Sequence, residues 1–234
     1  MRFLTPRVMR SPALPVLERD GQLAGLWSHL ARATARTLYC RERQYITLKR
    51  LDGPRPEAAA APPDRETACL MVDSVEALDA VASEIPVSLR DSVRALRRRL
   101  ARGCVVCLAR RRQPDGARHA VVGYEISERG VFSALGRRIP VPRDVIFSHH
   151  AEVLPAYRGR RIHGLMFAAR DAYYRQRGGG VVVGVCLPDN RASLRALRRD
   201  GAAIVGTVER LSLLRIVTLA WSSGPYGADA PSRV

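Results

Sequence analysis

The chain has 234 residues, 47% of them hydrophobic, which suffices for a sizeable core and excludes a largely disordered polymer. Its formal net charge is +17, carried almost wholly by arginine because Lys49 is the only lysine. Such an excess favours anionic partners (nucleic acid, acidic lipid, a phosphate-bearing cofactor), but arginine also accumulates through genome composition, so charge alone names no partner.

Cys40, Cys69, Cys104, Cys107 and Cys186 are odd in number and irregular in spacing, which fits a reducing compartment. Cys104 and Cys107 lie in an apolar run, where residues three apart on a strand point to opposite faces, so they read as small buried hydrophobes. No segment has the length and apolarity of a membrane-spanning helix, and the first 17 residues lack a signal-peptide apolar core. The expectation is a cytoplasmic protein.

Residues 1–19 read as an arm, 20–39 as a helix capped by Asp20, 44–51 as a strand, and the proline- and alanine-rich 52–64 as a linker. A strand over 67–72 precedes a helix capped by Ser74, with Val75, Leu78 and Val81 inward. A second helix is expected over 88–101, with Arg97, Arg98 and Arg99 on a solvated face. Strands follow over 103–108 and 117–126, with a short one over 130–135 and a longer one over 145–153. Residues 161–175 form a helix with Ile162, Leu165, Met166 and Ala169 inward, ended by three glycines. The β-branched run 181–187 is a central buried strand, Asn190 caps a helix to Arg199, and strands over 203–208 and 211–219 close the pattern.

The passage Val153-Leu154-Pro155-Ala156-Tyr157-Arg158-Gly159-Arg160-Arg161-Ile162-His163-Gly164 joins a strand to a helix through glycines and arginines. A helix start offers unpaired N–H groups and partial positive charge, glycines let backbone approach a ligand, and arginines grip phosphate. One strand downstream, Asn190, Ser193, Leu197 and Gly201 form a second pattern. Together these resemble the two motifs of the GNAT acyltransferase superfamily, V-x-P-x-x-R-G-x-G-I-G and N-x-x-S/A-x-x-L/Y-x-x-x-G-F, over about the C-terminal two-thirds of the chain.

The resemblance implies an α/β (α+β) fold with a mixed, splayed central sheet flanked by helices. It implies an acyltransferase-like domain over 65–221; the residues themselves read as a helix-strand extension with its linker over 1–64 and a disordered tail over 222–234. It implies acetyl-CoA or another acyl-CoA as donor and a small-molecule amine as acceptor. Backbone groups of Ala151 and Val153 would pair with the pantetheine amides, and Arg158, Gly159, Arg160, Arg161, Ile162, His163 and Gly164 would hold the pyrophosphate. Asn190 would stand beside the pantetheine arm, or serve as a helix cap only.

The chain departs from the pattern at several places. Arg161 and His163 replace two motif glycines, Ala202 replaces the final aromatic, and Leu197 stands where a tyrosine often acts as acid. Acyl transfer to an amine also needs a base. His149, four residues before Val153, matches a position where the family often carries one; simple alternation puts it with Ala151 and Val153, and His150 with Glu152 on the other face. Glu152 is the reserve candidate if a bulge swaps the faces. Tyr124 and Glu125 could line the acceptor site, while Tyr173 and Tyr174 read as packing or surface. No metal set is expected, since adjacent histidines face apart and no third ligand has suitable spacing. Two other readings stand beside this one. One is a basic binding module for nucleic acid or anionic lipid, against which the dispersed arginines and few aromatics argue; no specific nucleic acid partner is expected. The other is an acyltransferase whose donor rides on an acidic acyl carrier protein.

Overall fold

β-Branched and aliphatic runs build the centre of the sheet. In the computed structural model the described residues are 39–53, 66–89, 91–113, 118–213 and 217–223. The strands are β1 (Tyr39–Arg50), β2 (Thr67–Val72), β3 (Val105–Arg112), β4 (His119–Arg129), β5 (Val131–Ala134), β6 (Arg137–Pro140), β7 (Val145–Val153), β8 (Val181–Cys186), β9 (Ala203–Leu213) and β10 (Val217–Ser223). The helices are α1 (Val75–Asp79), α2 (Val93–Leu100), α3 (Ile162–Arg175) and α4 (Arg191–Arg199). Eight strands form one sheet in the order β10-β9-β1-β8-β7-β4-β3-β2, and β5 pairs with β6 in a separate hairpin. The sheet is mixed: β7 and β8 run parallel, while β1–β8, β4–β7, β3–β4 and β2–β3 are antiparallel.

The chain divides into two compact units, Met1–Cys40 with Leu211–Thr218, and Arg41–Arg210 with Leu219 onward. Everything below concerns the second. Alternation along β3 sorts its core into two layers. Val106 and Leu108 pack with Leu78 of α1 and Leu96 and Leu100 of α2 on one face. Cys107 and Ala109 meet Ile162 and Met166 of α3 on the other. Cys104 joins the first layer and Cys107 the second, the opposed faces expected of the pair. The β5–β6 hairpin lays Phe132 on the first face against Phe147 at 5.4 Å, edge to face.

Ser74 Oγ accepts from the Ala77 N–H at 3.1 Å, and Asn190 Oδ1 from the Ser193 N–H at 3.1 Å, so α1 and α4 begin where their caps predict. The helix expected from residue 88 starts instead at Val93. Ser92 is its cap, accepting from Ala95 N–H, and residues after Pro86 are spent on a turn. The two strands expected over 203–219 are replaced by β9, unbroken through Leu211, and β10. β6 was not expected, because two arginines and a proline hide its pairing. The helix over 20–39 and the linker over 52–64 lie outside the described residues, except Tyr39, which opens β1, and Asp52 and Gly53. So does the tail expected over 222–234, except Ser222 and Ser223, which end β10.

Candidate functional site

β7 and β8 pair only from Val145↔Val181 to Ser148↔Gly184. Beyond that point β7 stays with β4, where Gly123 faces Val153 and Tyr124 faces Glu152, and its side towards β8 is left open. Gly123 is needed there: a Cβ on it would meet Glu152 O at 2.7 Å. The opening leads into a cavity of about 220 Å³. Ser148, His149, His150 and Ala151 line one wall, Cys186 and Leu187 the other, and His163 and Phe167 of α3 with Ser193 and Leu197 of α4 close it. A mixed sheet parted in this way, with a strand–loop–helix unit at its mouth, is the arrangement that the motif resemblance implies.

A β-bulge shapes the wall. Tyr124 pairs with Glu152 and Ile126 with His149, so His150 and Ala151 together oppose Glu125, and His150 takes a φ of 51°. This corrects the alternation read from the sequence, because one inserted residue brings Glu152 onto the face of His149. The His149 ring stacks on Phe147 at 5.0 Å, and its Nδ1 lies 2.5 Å from His150 Nδ1, so one of the two donates and the other accepts. Burial, then the neighbouring His150, Arg99 and Arg138, push the His149 pKa down to about 3. The imidazole is neutral at physiological pH but weakly basic.

Past β7 the chain makes a 3-10 turn, Pro155–Tyr157. Arg158 Nε donates back to the Val153 carbonyl at 3.1 Å, and the Arg160 guanidinium sits 5.9 Å from the Tyr157 ring centroid. Gly159 has φ +81°, and Arg161, immediately before α3, is left-handed at φ 59° and ψ 18°. Arg161 thus adopts the conformation that glycine takes freely, at the place where the family motif has glycine. Among the described residues no side chain caps α3, and none lies within 4 Å of a Cβ built on Gly159 or Gly164. Uncapped amides and open space at two glycines fit a phosphate group. His163 does not fill that space. Its ring lies along α3 against Phe167 at 4.7 Å, where its Nε2 is buried without a partner and burial pushes its pKa down to about 4. A pantetheine or pyrophosphate oxygen is the kind of partner that this nitrogen lacks. Asn190 caps α4 and also lines the cavity, and Leu197 lines it with no proton to give.

Part of the cavity wall is a buried charge network, including Lys49, Arg170 and Asp200, that no local motif announces. The Arg170 side chain, 2% exposed, donates from Nη1 to Glu125 Oε1 at 2.5 Å and from Nη2 to Asp171 Oδ1 at 2.6 Å, and reaches Asp200 at 3.4 Å. Lys49 Nζ contacts Asp171 at 2.6 Å and Asp200 at 2.7 Å. Ser148 Oγ donates to Glu125 Oε1 at 2.5 Å, tying the network to the last paired residue of β7. Glu125 is therefore a buried partner of Arg170. Tyr174 OH meets Ser127 Oγ at 3.1 Å and Tyr173 OH donates to Asp73 at 2.8 Å, both packing roles as expected.

No family model and no curated protein matches the chain. Solved structures do, and they include GNAT acetyltransferases. A Drosophila protein is 16% identical over 83% of this chain and 58% of its own, with a TM-score of 0.46. A GCN5-related N-acetyltransferase from Sphaerobacter thermophilus is 16% identical over 88% of this chain and 59% of its own, at 0.47. The aminoglycoside acetyltransferase AAC(6')-Iy, in complex with a CoA bisubstrate analogue, is 17% identical over 58% of this chain and 89% of its own, at 0.41. The chain thus spans less than two-thirds of the first two, and likeness at this level says nothing of activity. Among the described residues no helix is long and apolar enough to cross a membrane.

Proposed function

We propose that the protein is an acyl-CoA-dependent N-acyltransferase that passes an acetyl or other acyl group to a small-molecule amine. The observation that carries this reading is the parting of β7 from β8 after Ser148 and Gly184 into a cavity that ends at the uncapped start of α3. An extended pantetheine amide chain would add to the open edge at Ala151 and Val153 as a strand adds to a sheet. Its pyrophosphate would sit on the amides from Arg158 to Gly164.

The amine nitrogen attacks the thioester carbon, the C–S bond breaks, and one proton leaves the nitrogen while one is taken up by the departing thiolate. Glu152 takes the amine proton, directly or through one water, because the bulge sets it on the same face as His149, and a histidine with a pKa near 3 is a poor acceptor near neutrality. The thiolate receives no proton from position 197, where Leu197 stands. A donor held on an acidic carrier protein is a second reading, favoured by the exposed Arg191, Arg195, Arg198 and Arg199 of α4, the helix that lines the cavity.

Calorimetric titration with CoA and acetyl-CoA, beside a thermal-shift series of longer acyl-CoAs, tests the reading, since a ligand of the folded state raises the melting temperature. Absence of heat and shift at millimolar CoA would remove the free-CoA reading and leave the carrier-borne donor to be tested.

A further inference from the structure

Cys104, Glu128 and His149 meet on the sheet face opposite α3. Cys104 immediately precedes β3, Glu128 stands on β4, and His149 on β7, so three neighbouring strands bring them together from far apart in sequence. One ligand atom from each lies within 4.8 Å of the other two. The expectation that no third ligand accompanies His149 rested on linear spacing, which cannot register residues meeting across a sheet.

We propose that these three residues bind a divalent transition-metal ion of the zinc class, through the Cys104 thiolate, the His149 imidazole and the Glu128 carboxylate. A sulfur, a nitrogen and an oxygen donor suit zinc, and three protein ligands leave a fourth tetrahedral position open. Of the three, His149 also lines the cavity.

Several observations support the assignment. Cys104 and Glu128 are buried, 5% and 6% exposed, so a thiol and a carboxylate share a place with little water. The Nδ1 of His149 is engaged by His150, which leaves Nε2 to the metal. A dication with one thiolate and one carboxylate forms a neutral group, and loading with release of the thiol proton adds one positive charge to the neighbourhood of Arg99 and Arg138. Arg138 is ion-paired to Glu128, and Arg99 to Asp91 at 3.5 Å. Ligand atoms of a tetrahedral site stand about 3.5 Å apart, so the cluster closes by about an ångström on loading. Gly103 at φ +83° and the bulge beside His149 are the points where the backbone can yield. Loading converts the thiol to thiolate and releases its proton to solvent.

The assignment does not rest on acyl transfer, and its test needs no CoA. The full chain, stripped with a chelator, is titrated with Co²⁺ as an optical probe. The expected result is one ion per chain with a thiolate-to-cobalt charge-transfer band. Cys104→Ser abolishes the band, Cys69→Ser keeps it, and Glu128→Gln weakens binding at least tenfold. Should Cys104→Ser fail to fold, alkylation of the native wild type replaces it: Zn²⁺ slows modification of Cys104 at least tenfold and leaves Cys69 unchanged. A stoichiometric Co²⁺ complex without the thiolate band, a band that survives in folded Cys104→Ser, no binding at all, or Cys104 alkylation indifferent to Zn²⁺ would each overturn the assignment.

Discussion

Glu152 stands on the same face of β7 as His149, three residues away, because His150 and Ala151 share the place opposite Glu125. If Glu152 is the base, Glu152→Gln lowers turnover by ~10²–10⁴-fold and removes the acidic limb of the pH–rate profile, with CoA affinity nearly unchanged. His149→Ala keeps that limb. The opposite pattern, a profile lost in His149→Ala and kept in Glu152→Gln, would return the role to His149.

Gly164 has open space where a side chain would project and lies in the first turn of α3. Gly164→Val should leave the melting temperature almost unchanged while weakening CoA binding at least tenfold, as read by calorimetry. A variant that binds CoA like the wild type would move the pyrophosphate away from this helix start.

Arg161 holds a left-handed backbone that costs a residue with a Cβ about 1 kcal/mol. Arg161→Gly removes that strain but frees the unfolded chain, so the expected gain in urea unfolding is up to ~1 kcal/mol. A clear loss of stability would mean that the arginine side chain contributes more to the fold than its backbone costs.

Much of the fold was legible because burial on both sides of the sheet writes itself as β-branched runs, as in residues 181–186, and because Ser74 and Asn190 carry their caps beside them. The bulge was not, since His149 to Val153 contains no glycine to mark it and pairing with β4 decides it. The ends of α2 slipped for a similar reason: Ser88 and Ser92 are both competent caps, and only the packing of Leu96 and Leu100 selects the second. The charge network was invisible because Lys49, Glu125, Arg170 and Asp200 are brought together by two strands, one helix and the end of another, with no shared spacing.

That network makes Arg170 the residue whose loss the fold should feel most. Arg170→Met leaves the Glu125 and Asp171 carboxylates buried without their main partner, and removing one member of a buried ionic group costs about 3–5 kcal/mol. Urea unfolding measures it, and a loss below about 1 kcal/mol would show that water reaches the carboxylates.

Acid should destabilise the chain through His163. Its pKa, ordinarily near 6.5, is held down to about 4 by burial and then by Arg170. Above pH 6.5 the ring is neutral in both folded and unfolded chains. Between there and pH 4 only the unfolded chain takes up the proton, so stability present at neutral pH is lost as pH falls, by about 3 kcal/mol from this residue. His163→Phe should flatten the melting temperature across that window, and an unchanged slope would mean that His163 is solvated in solution.

Lys49 is the single ε-amine of the chain, and Asp171 and Asp200 clamp it at 2.6 and 2.7 Å. Activated thioesters modify exposed lysines without any catalyst, and guanidinium groups, protonated at every physiological pH, are spared. A protein that is basic through arginine and keeps its one lysine clamped is thereby resistant to chemical self-modification by a reactive donor. Its positive surface should persist unaltered through long exposure to acyl thioesters that would steadily neutralise a lysine-rich counterpart.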